Sequence, residues 1–219
     1  MKNLILAIGL YVLTSVWAHA SILTFDGIGT GNVQIPDNYG DRISSTLDAN
    51  SFQYGEGNGF TPNITVSYAP SSGYVSLWSG GYGELVNALG HGQFNVPTEI
   101  VLTADSGFLI ALNSFDIAGF GGVDYQTQLS IWDDNGSEAA PNLFNASILA
   151  PGANSVNPLA SPLIGIGSIH IYVDNIGSTG IDNLNFDQTV VPAPPAIWLL
   201  GTALAGIGSR RWLRRRLSS

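Results

Sequence analysis

Gln126-Thr-Gln-Leu-Ser-Ile-Trp132, followed at once by Asp133-Asp134-Asn135-Gly136, decides the class of this chain. The first seven residues form a short run of strand character. Asp134-Asn135-Gly136 then reads as a hairpin turn, because Asn and Gly tolerate the left-handed backbone that tight turns demand. Working outward, short apolar runs recur at residues 22–25, 64–68, 74–78, 99–104, 108–117, 147–149, 169–174 and 180–186. Turn residues separate them, notably Ala69-Pro-Ser-Ser-Gly73. No segment sustains a helical period with caps. The single helical candidate, 84–89, is hemmed in by Gly83 and Gly90. Many short strands at such spacing predict an all-β chain, a single β-sandwich or jelly roll. Segments 33–59 and 138–162 read as loop-rich stretches over one end of it.

Both ends read as targeting segments. Met1-Lys2-Asn3, an apolar run from Leu4 to Trp17, and the small-x-small site Ala18-His19-Ala20 before Ser21 describe a secretory signal peptide over 1–20. At the other end, a proline hinge (Val191-Pro192-Ala193-Pro194-Pro195) precedes an uncharged run from Ala196 to Ser209. Five arginines follow at Arg210, Arg211, Arg214, Arg215 and Arg216. Prolines break the chain before a helix and are tolerated in its first turn. The uncharged run of 14 residues would reach roughly 21 Å at about 1.5 Å per residue, against a hydrocarbon core of about 30 Å. Trp198 and Trp212 would sit at the two interfaces, and the arginines favour a cytoplasmic end. A transient anchor cut by a membrane protease and a retained single span both fit. The ectodomain between these ends is 21–189.

The tail, residues 190–219, resembles the PEP-CTERM sorting signal of Gram-negative bacteria, in the variant beginning Val-Pro-Leu-Pro-Ala. Val191-Pro192-Ala193-Pro194-Pro195-Ala196, Trp198-Leu199-Leu200-Gly201 and the arginine cluster carry the resemblance. The Glu of the PEP form is absent, with Ala193 in its place. The resemblance implies export by the Sec machinery and signal peptidase, and transient insertion in the inner membrane. It also implies recognition by an exosortase near Pro192 and Pro194, and delivery to the cell surface or extracellular matrix. There it implies a link to exopolysaccharide and biofilm. Leu23-Thr-Phe-Asp26, Ser114-Phe-Asp-Ile-Ala118 and Gly180-Ile-Asp-Asn-Leu-Asn-Phe186 are similar to strands of such ectodomains and of galactose-binding-like jelly rolls. That second resemblance implies a calcium tying first strand to last, with Asp26 and Asp182 as ligands and Asp187 nearby.

Charge and composition exclude several functions. All sixteen acids lie between Asp26 and Asp187, and Arg42 is the one basic residue of the ectodomain, which gives it a formal charge of −15. Such a body repels nucleic acid and stays soluble in a crowded matrix. The chain has no cysteine, so the exported domain must fold on its core alone.

Sugar recognition needs ring faces beside hydrogen-bonding groups. Tyr74, Trp78 and Tyr82 are spaced to share one face of a strand. Tyr39, Tyr54, Tyr125 and Trp132 are further candidates, with core packing as the plainer role for Trp78 and Trp132. Asp133-Asp-Asn-Gly-Ser-Glu138 resembles a fragment of a calcium loop but fits a hairpin tip better. His91 lies in a glycine-flanked loop, and His170 alternates within an apolar strand. Zinc sites and nucleophile triads lack their usual parts. The glycine runs Gly27–Gly31 and Gly55–Gly59 precede no helix and are not phosphate loops. The sequence thus predicts a non-catalytic exported protein that binds or organises polysaccharide. A secreted glycosidase and a purely structural surface protein are the rival classes. A cleft with two close carboxylates beside aromatic rings would mark the enzyme.

Overall fold

The structure, a computed structural model, describes residues 20–29, 31–44 and 60–191. The chain divides into two units, Met1–Thr189 and Val190–Ser219. Ala18, Tyr54, Pro192, Pro194 and the five tail arginines lie outside the described residues.

The described residues form β1 (Ser21–Leu23), β2 (Val33–Gln34), β3 (Ile64–Pro70), β4 (Val75–Tyr82), β5 (Leu85–His91) and β6 (Val96–Ala104). They continue with β7 (Phe108–Gly119), β8 (Tyr125–Asp133), β9 (Phe144–Ala150), β10 (Leu163–Ile166), β11 (Ser168–Ile176) and β12 (Thr179–Val190). The one helical element among them is a 3-10 turn, Asp26–Ile28. The described residues are therefore all-β. No helix among the described residues is long and apolar enough to cross a membrane.

Alternation builds the layers. Ile169, Ile171 and Val173 point inward from β11, and Ile100 and Leu102 do the same from β6. The register Ile171↔Ile100 and Ile171↔Ile131 aligns these apolar sets across three strands. Pairing then gives one layer in the order β3-β6-β11-β8-β9. A second layer runs β2-β4-β5-β12-β7-β10, and β1 also pairs with β12. The pair Ile176↔Thr179 joins β11 to β12, so the layers are two halves of one curled sheet. Leu77, Leu89, Leu112, Phe115, Leu184 and Phe186 meet the inward residues of the first layer in a single core. That shared core makes the fold a sandwich.

All nine strand expectations overlap observed strands, with Thr24, Phe25 and Tyr74 lying just outside them. The helical candidate over 84–89, which Gly83 and Gly90 leave little room, is not a helix: those residues lie in the turn and strand of the β4–β5 hairpin. Leu77↔Leu89 places Leu89 in the core, and that burial overrides the helix-favouring composition. The hairpin after Trp132 exists, with Ile131↔Phe144 in register, but its connection is longer than a tight turn. Gly136 N–H bonds to the Asp133 carbonyl at 2.8 Å, and a second small bridge, Ser137↔Ala140, follows before β9 starts.

Candidate functional site

The outer face of the β4–β5–β12 region carries a ring cluster. Gly90 on β5 makes room for it, since a Cβ there would lie 2.8 Å from Trp78 Cδ1 and 2.9 Å from Tyr82 Oη. Ile181↔Leu89 sets Gly180 beside Gly90, and a Cβ at Gly180 would meet the Tyr82 ring at 2.8 Å. Two bare glycines thus form a floor under Trp78 and Tyr82. Phe120 stands 5.6 Å from Trp78 and 5.2 Å from Tyr82, ring centre to ring centre. Phe94 rests on Phe120 in turn, at 5.6 Å. These separations suit edge and offset ring contacts.

Two adjoining clefts lie beside this cluster and share His91, Gly92 and Gln93 in their walls, the smaller opening on the cluster itself. The larger, about 320 Å³, is bounded by Ser72, Gly73, Tyr74, His91, Gly92 and Gln93. The smaller, about 190 Å³, runs from His91 and Gln93 to Trp78, Tyr82, Phe94 and Phe120. Tyr74 is 53% exposed and Phe94 60% exposed, whereas His91 is buried in the wall between them. Gln93 N–H donates to His91 Nδ1 at 2.9 Å, so that nitrogen is the acceptor. His91 Nε2 then carries the proton and donates it to the Ser72 carbonyl at 2.9 Å. Trp78 Nε1 donates to Ser76 Oγ at 3.1 Å, and the Tyr82 hydroxyl donates to the Gly177 carbonyl at 2.9 Å. Burial pushes the Tyr82 hydroxyl well above the usual phenol range.

A separate cleft of about 300 Å³ gathers acids: Asp26, Glu84, Asp116 and Asp182, with Ser155 and Asn183. Asp182 is buried, and its carboxyl is pushed up to about 8, first by burial and further by the charges of Asp26 and Asp116. Asn183 sits in the left-handed region at φ 51, with its N–H bonded to Asp182 Oδ1 at 2.7 Å. Its side-chain amide donates to Asp116 Oδ2 at 2.8 Å. Asn87 donates to Asp26 Oδ1 at 2.5 Å. Among the described residues no three His, Cys, Asp or Glu side chains are placed to hold a metal ion together. Among the described residues, neither ring cleft has a carboxylate in its wall, and the acid cleft has no aromatic ring in its wall.

The sequence-derived residues divide accordingly. Tyr74 reaches the larger ring cleft and Trp78 the smaller, and Asp26 and Asp182 reach the acid cleft. Tyr82 is corrected: it is 1% exposed beneath Phe120 and supports the cluster without offering a face. Tyr39 is also buried, with its hydroxyl accepting the Phe25 N–H at 3.2 Å. Trp132 stacks on His170 at 5.1 Å on the outside of the other layer and is itself buried. His170 Nδ1 meets Glu99 at 2.5 Å, a structural pairing that braces β11 against β6. Asp133 organises its loop, its Oδ1 accepting from Asn135 N–H and Asn142 and its Oδ2 from Ile166 N–H. Burial opposes its ionisation, yet these bonds hold the carboxyl below the usual range. Phe94, Phe120, Gln93, Glu84 and Asp116 were not singled out from sequence. They come from three different segments, and only the folded pairing brings each set together. Ser21 is buried in β1, and Val191 is exposed just after β12.

No protein-family model matches the chain. No curated protein matches it either. Among solved structures, it is similar to TmCBM61 in complex with β-1,4-galactotriose, at 16% identity over 57% of this chain and 88% of that one, with a TM-score of 0.34. It is also similar to the exo-β-1,3-galactanase of Phanerochaete chrysosporium with β-1,3-galactotriose, at 14% identity over 65% of this chain and 36% of that one (TM-score 0.29). A third likeness is to the enzymatically active domain of tailspike protein 4 of bacteriophage CBA120, at 15% identity over 59% of this chain and 19% of that one (TM-score 0.25). This chain therefore spans about a third of the galactanase chain and a fifth of the tailspike chain.

Proposed function

We propose that this protein is an exported, non-catalytic surface or matrix protein whose sandwich binds polysaccharide at the Tyr74–Phe94 cleft. One observation carries the reading: exposed rings and clustered carboxylates occupy different clefts. A binding site needs ring faces and hydrogen-bonding groups in one place, and the ring cleft has both. A glycosidase needs its acid and base beside the sugar ring, and the ring cleft offers neither. The order of proline hinge, apolar run and arginines supports exosortase sorting and delivery to the cell surface or matrix.

The rival enzyme has one observation in its favour. Asp182 holds its proton near neutral pH beside Asp26 and Asp116, the kind of asymmetry that separates an acid from a base. Incubating the protein with exopolysaccharide, with calcium and with chelator, separates the readings. Retention with polymer length unchanged supports binding. Shortened polymer, abolished by Asp182→Asn, puts the enzyme in its place. Chelator sensitivity would place calcium at Asp26 and Asp182, while the ring cleft requires no metal. Absence of retention together with intact polymer would leave the purely structural protein.

A further inference from the structure

The glycan-binding reading can be taken one step deeper, to the charge of the glycan. Among the described residues, neither ring cleft has an acid, a lysine or an arginine in its wall. Both ring nitrogens of its histidine are used within the protein, one accepting from Gln93 N–H and the other donating to Ser72. Trp78 Nε1 and the Tyr82 hydroxyl are used within the protein. The polar groups left to face a ligand are the exposed Gln93 amide and the hydroxyls of Tyr74 and Ser72. All three are neutral, and all three suit sugar hydroxyls. Recognition of a sugar carboxylate or sulfate calls instead for a cation or a cluster of convergent donors.

The domain has no cation to lend. Arg42 is its one basic side chain, and it is held in a two-pronged pair with Asp105 at 2.7 and 2.9 Å. An anionic polymer would meet a body of formal charge −15. That long-range repulsion fades with salt, whereas the missing local partner does not.

We propose that the Tyr74–Phe94 cleft takes an uncharged segment of polysaccharide and rejects uronate-rich or sulfated polymer. The proposal rests on the glycan-binding reading above. Tyr74 and Phe94 supply the two ring faces, Phe94 braced from below by Phe120. Gln93, between them, supplies donor and acceptor to adjacent hydroxyls. Discrimination arises from the partner an acidic sugar would lack, as well as from what a neutral one gains.

The test uses paired polymers. Alginate and polygalacturonate are each compared with their own carboxyl-reduced products, which keep the backbone and linkages and lose only the charge. Neutral galactan and glucans complete the panel. Affinity electrophoresis of the full-length chain in detergent reads binding at about 20 mM and about 500 mM salt, where the screening length falls from well over 10 Å to a few Å. The expected result is at least a tenfold gain on carboxyl reduction that persists at high salt, and loss of that binding in Tyr74→Ala and Phe94→Ala. An acidic polymer bound as tightly as its reduced product, with both binding modes lost in these variants, would overturn the charge selectivity and leave the glycan site standing. Binding unaffected by either variant would remove the cleft itself from the reading. No binding to any polymer in the panel would overturn both.

Discussion

His91 Nε2 lies 2.9 Å from the carbonyl oxygen of Ser72, across a distance of 19 residues in the chain. The same ring accepts the Gln93 N–H through Nδ1 at 2.9 Å. One buried imidazole therefore ties the loop before β4 to the loop after β5, and those two loops are the walls of the larger ring cleft. The register Val75↔His91 sets this geometry from the strands. His91→Ala removes a donor and an acceptor at once and leaves both loops untied. Two lost hydrogen bonds of about 1 kcal/mol each should lower the unfolding free energy by about 1–3 kcal/mol. Glycan retention should fall about tenfold or more, because Tyr74 and Gln93 lose their mutual placement. Thermal unfolding and affinity electrophoresis of the same variant check both effects. Unchanged retention would show that the loops hold their positions without the imidazole.

The exposed and buried rings should behave in opposite ways. Tyr74 and Phe94 are more than half exposed, so replacing either by Ala should move stability by about 0.5 kcal/mol or less and abolish much of the glycan binding. Trp132 is 7% exposed and stacked on His170. Trp132→Ala should cost about 3–5 kcal/mol and leave binding by the surviving folded protein unchanged. Denaturant unfolding beside glycan titration separates the two classes. A loss of binding in Trp132→Ala at a temperature where it is folded would move the site to the other layer.

The strands were legible because this sequence punctuates them strongly. Residues 169–174 alternate Ile, His, Ile, Tyr, Val, Asp, and the fold uses that alternation as written, with Ile169, Ile171 and Val173 inward. Three strands were not legible, each for its own reason. β5 has Ala and Leu in a helix-like mix and becomes a strand through pairing with β4. β2 has only two residues and β10 only four, too few for any period to register. The site was half legible. Alternation placed Tyr74 and Trp78 on one face, but Gly80 and Gly81, at φ 87 and 92, break the register between Ser79 and Tyr82. Tyr82 consequently packs beneath Phe120, a residue no local pattern connects to it. Asp26 and Asp182 were picked out together from sequence and do share a cleft, yet Asp116 and Glu84 join them only through the sheet order.

The glycine floor gives a test independent of the exposed rings. Gly90→Ala would set a methyl 2.8 Å from Trp78 Cδ1 and 2.9 Å from the Tyr82 oxygen. Neither ring can move freely, since Phe120 lies against both. Overpacking of this kind costs about 1–3 kcal/mol. The displaced rings should also disturb Phe120 and Phe94, so binding should weaken although no contacting residue has changed. Calorimetric unfolding and glycan titration measure the two losses. Normal stability with normal binding would mean that the ring cluster is loose, and a loose base could not hold Phe94 for stacking.

Asp182 predicts an unusual pH dependence of stability. Its folded carboxyl is raised from 3.8 to about 8, mainly by burial and then by the charges of Asp26 and Asp116. The folded protein therefore holds a proton there that the unfolded chain releases near pH 4. Where the folded state binds more protons, unfolding free energy falls as pH rises. This contribution is fully present below about pH 4, is lost progressively up to about 8, and is flat beyond. Asp182→Asn keeps a neutral polar group of the same shape and removes the titration. It should flatten the slope between pH 4 and 8 and stabilise the protein at pH 8 by on the order of a few kcal/mol. At pH 4 it should change little. Thermal unfolding of both proteins in chelator across this range reads the effect directly. A variant less stable than the parent at pH 8 would mean that the Asn183 N–H bond to the ionised carboxylate outweighs its burial. Repeating the scan with added calcium would show whether the ionised carboxylate also takes the cation, because calcium should then stabilise the parent alone.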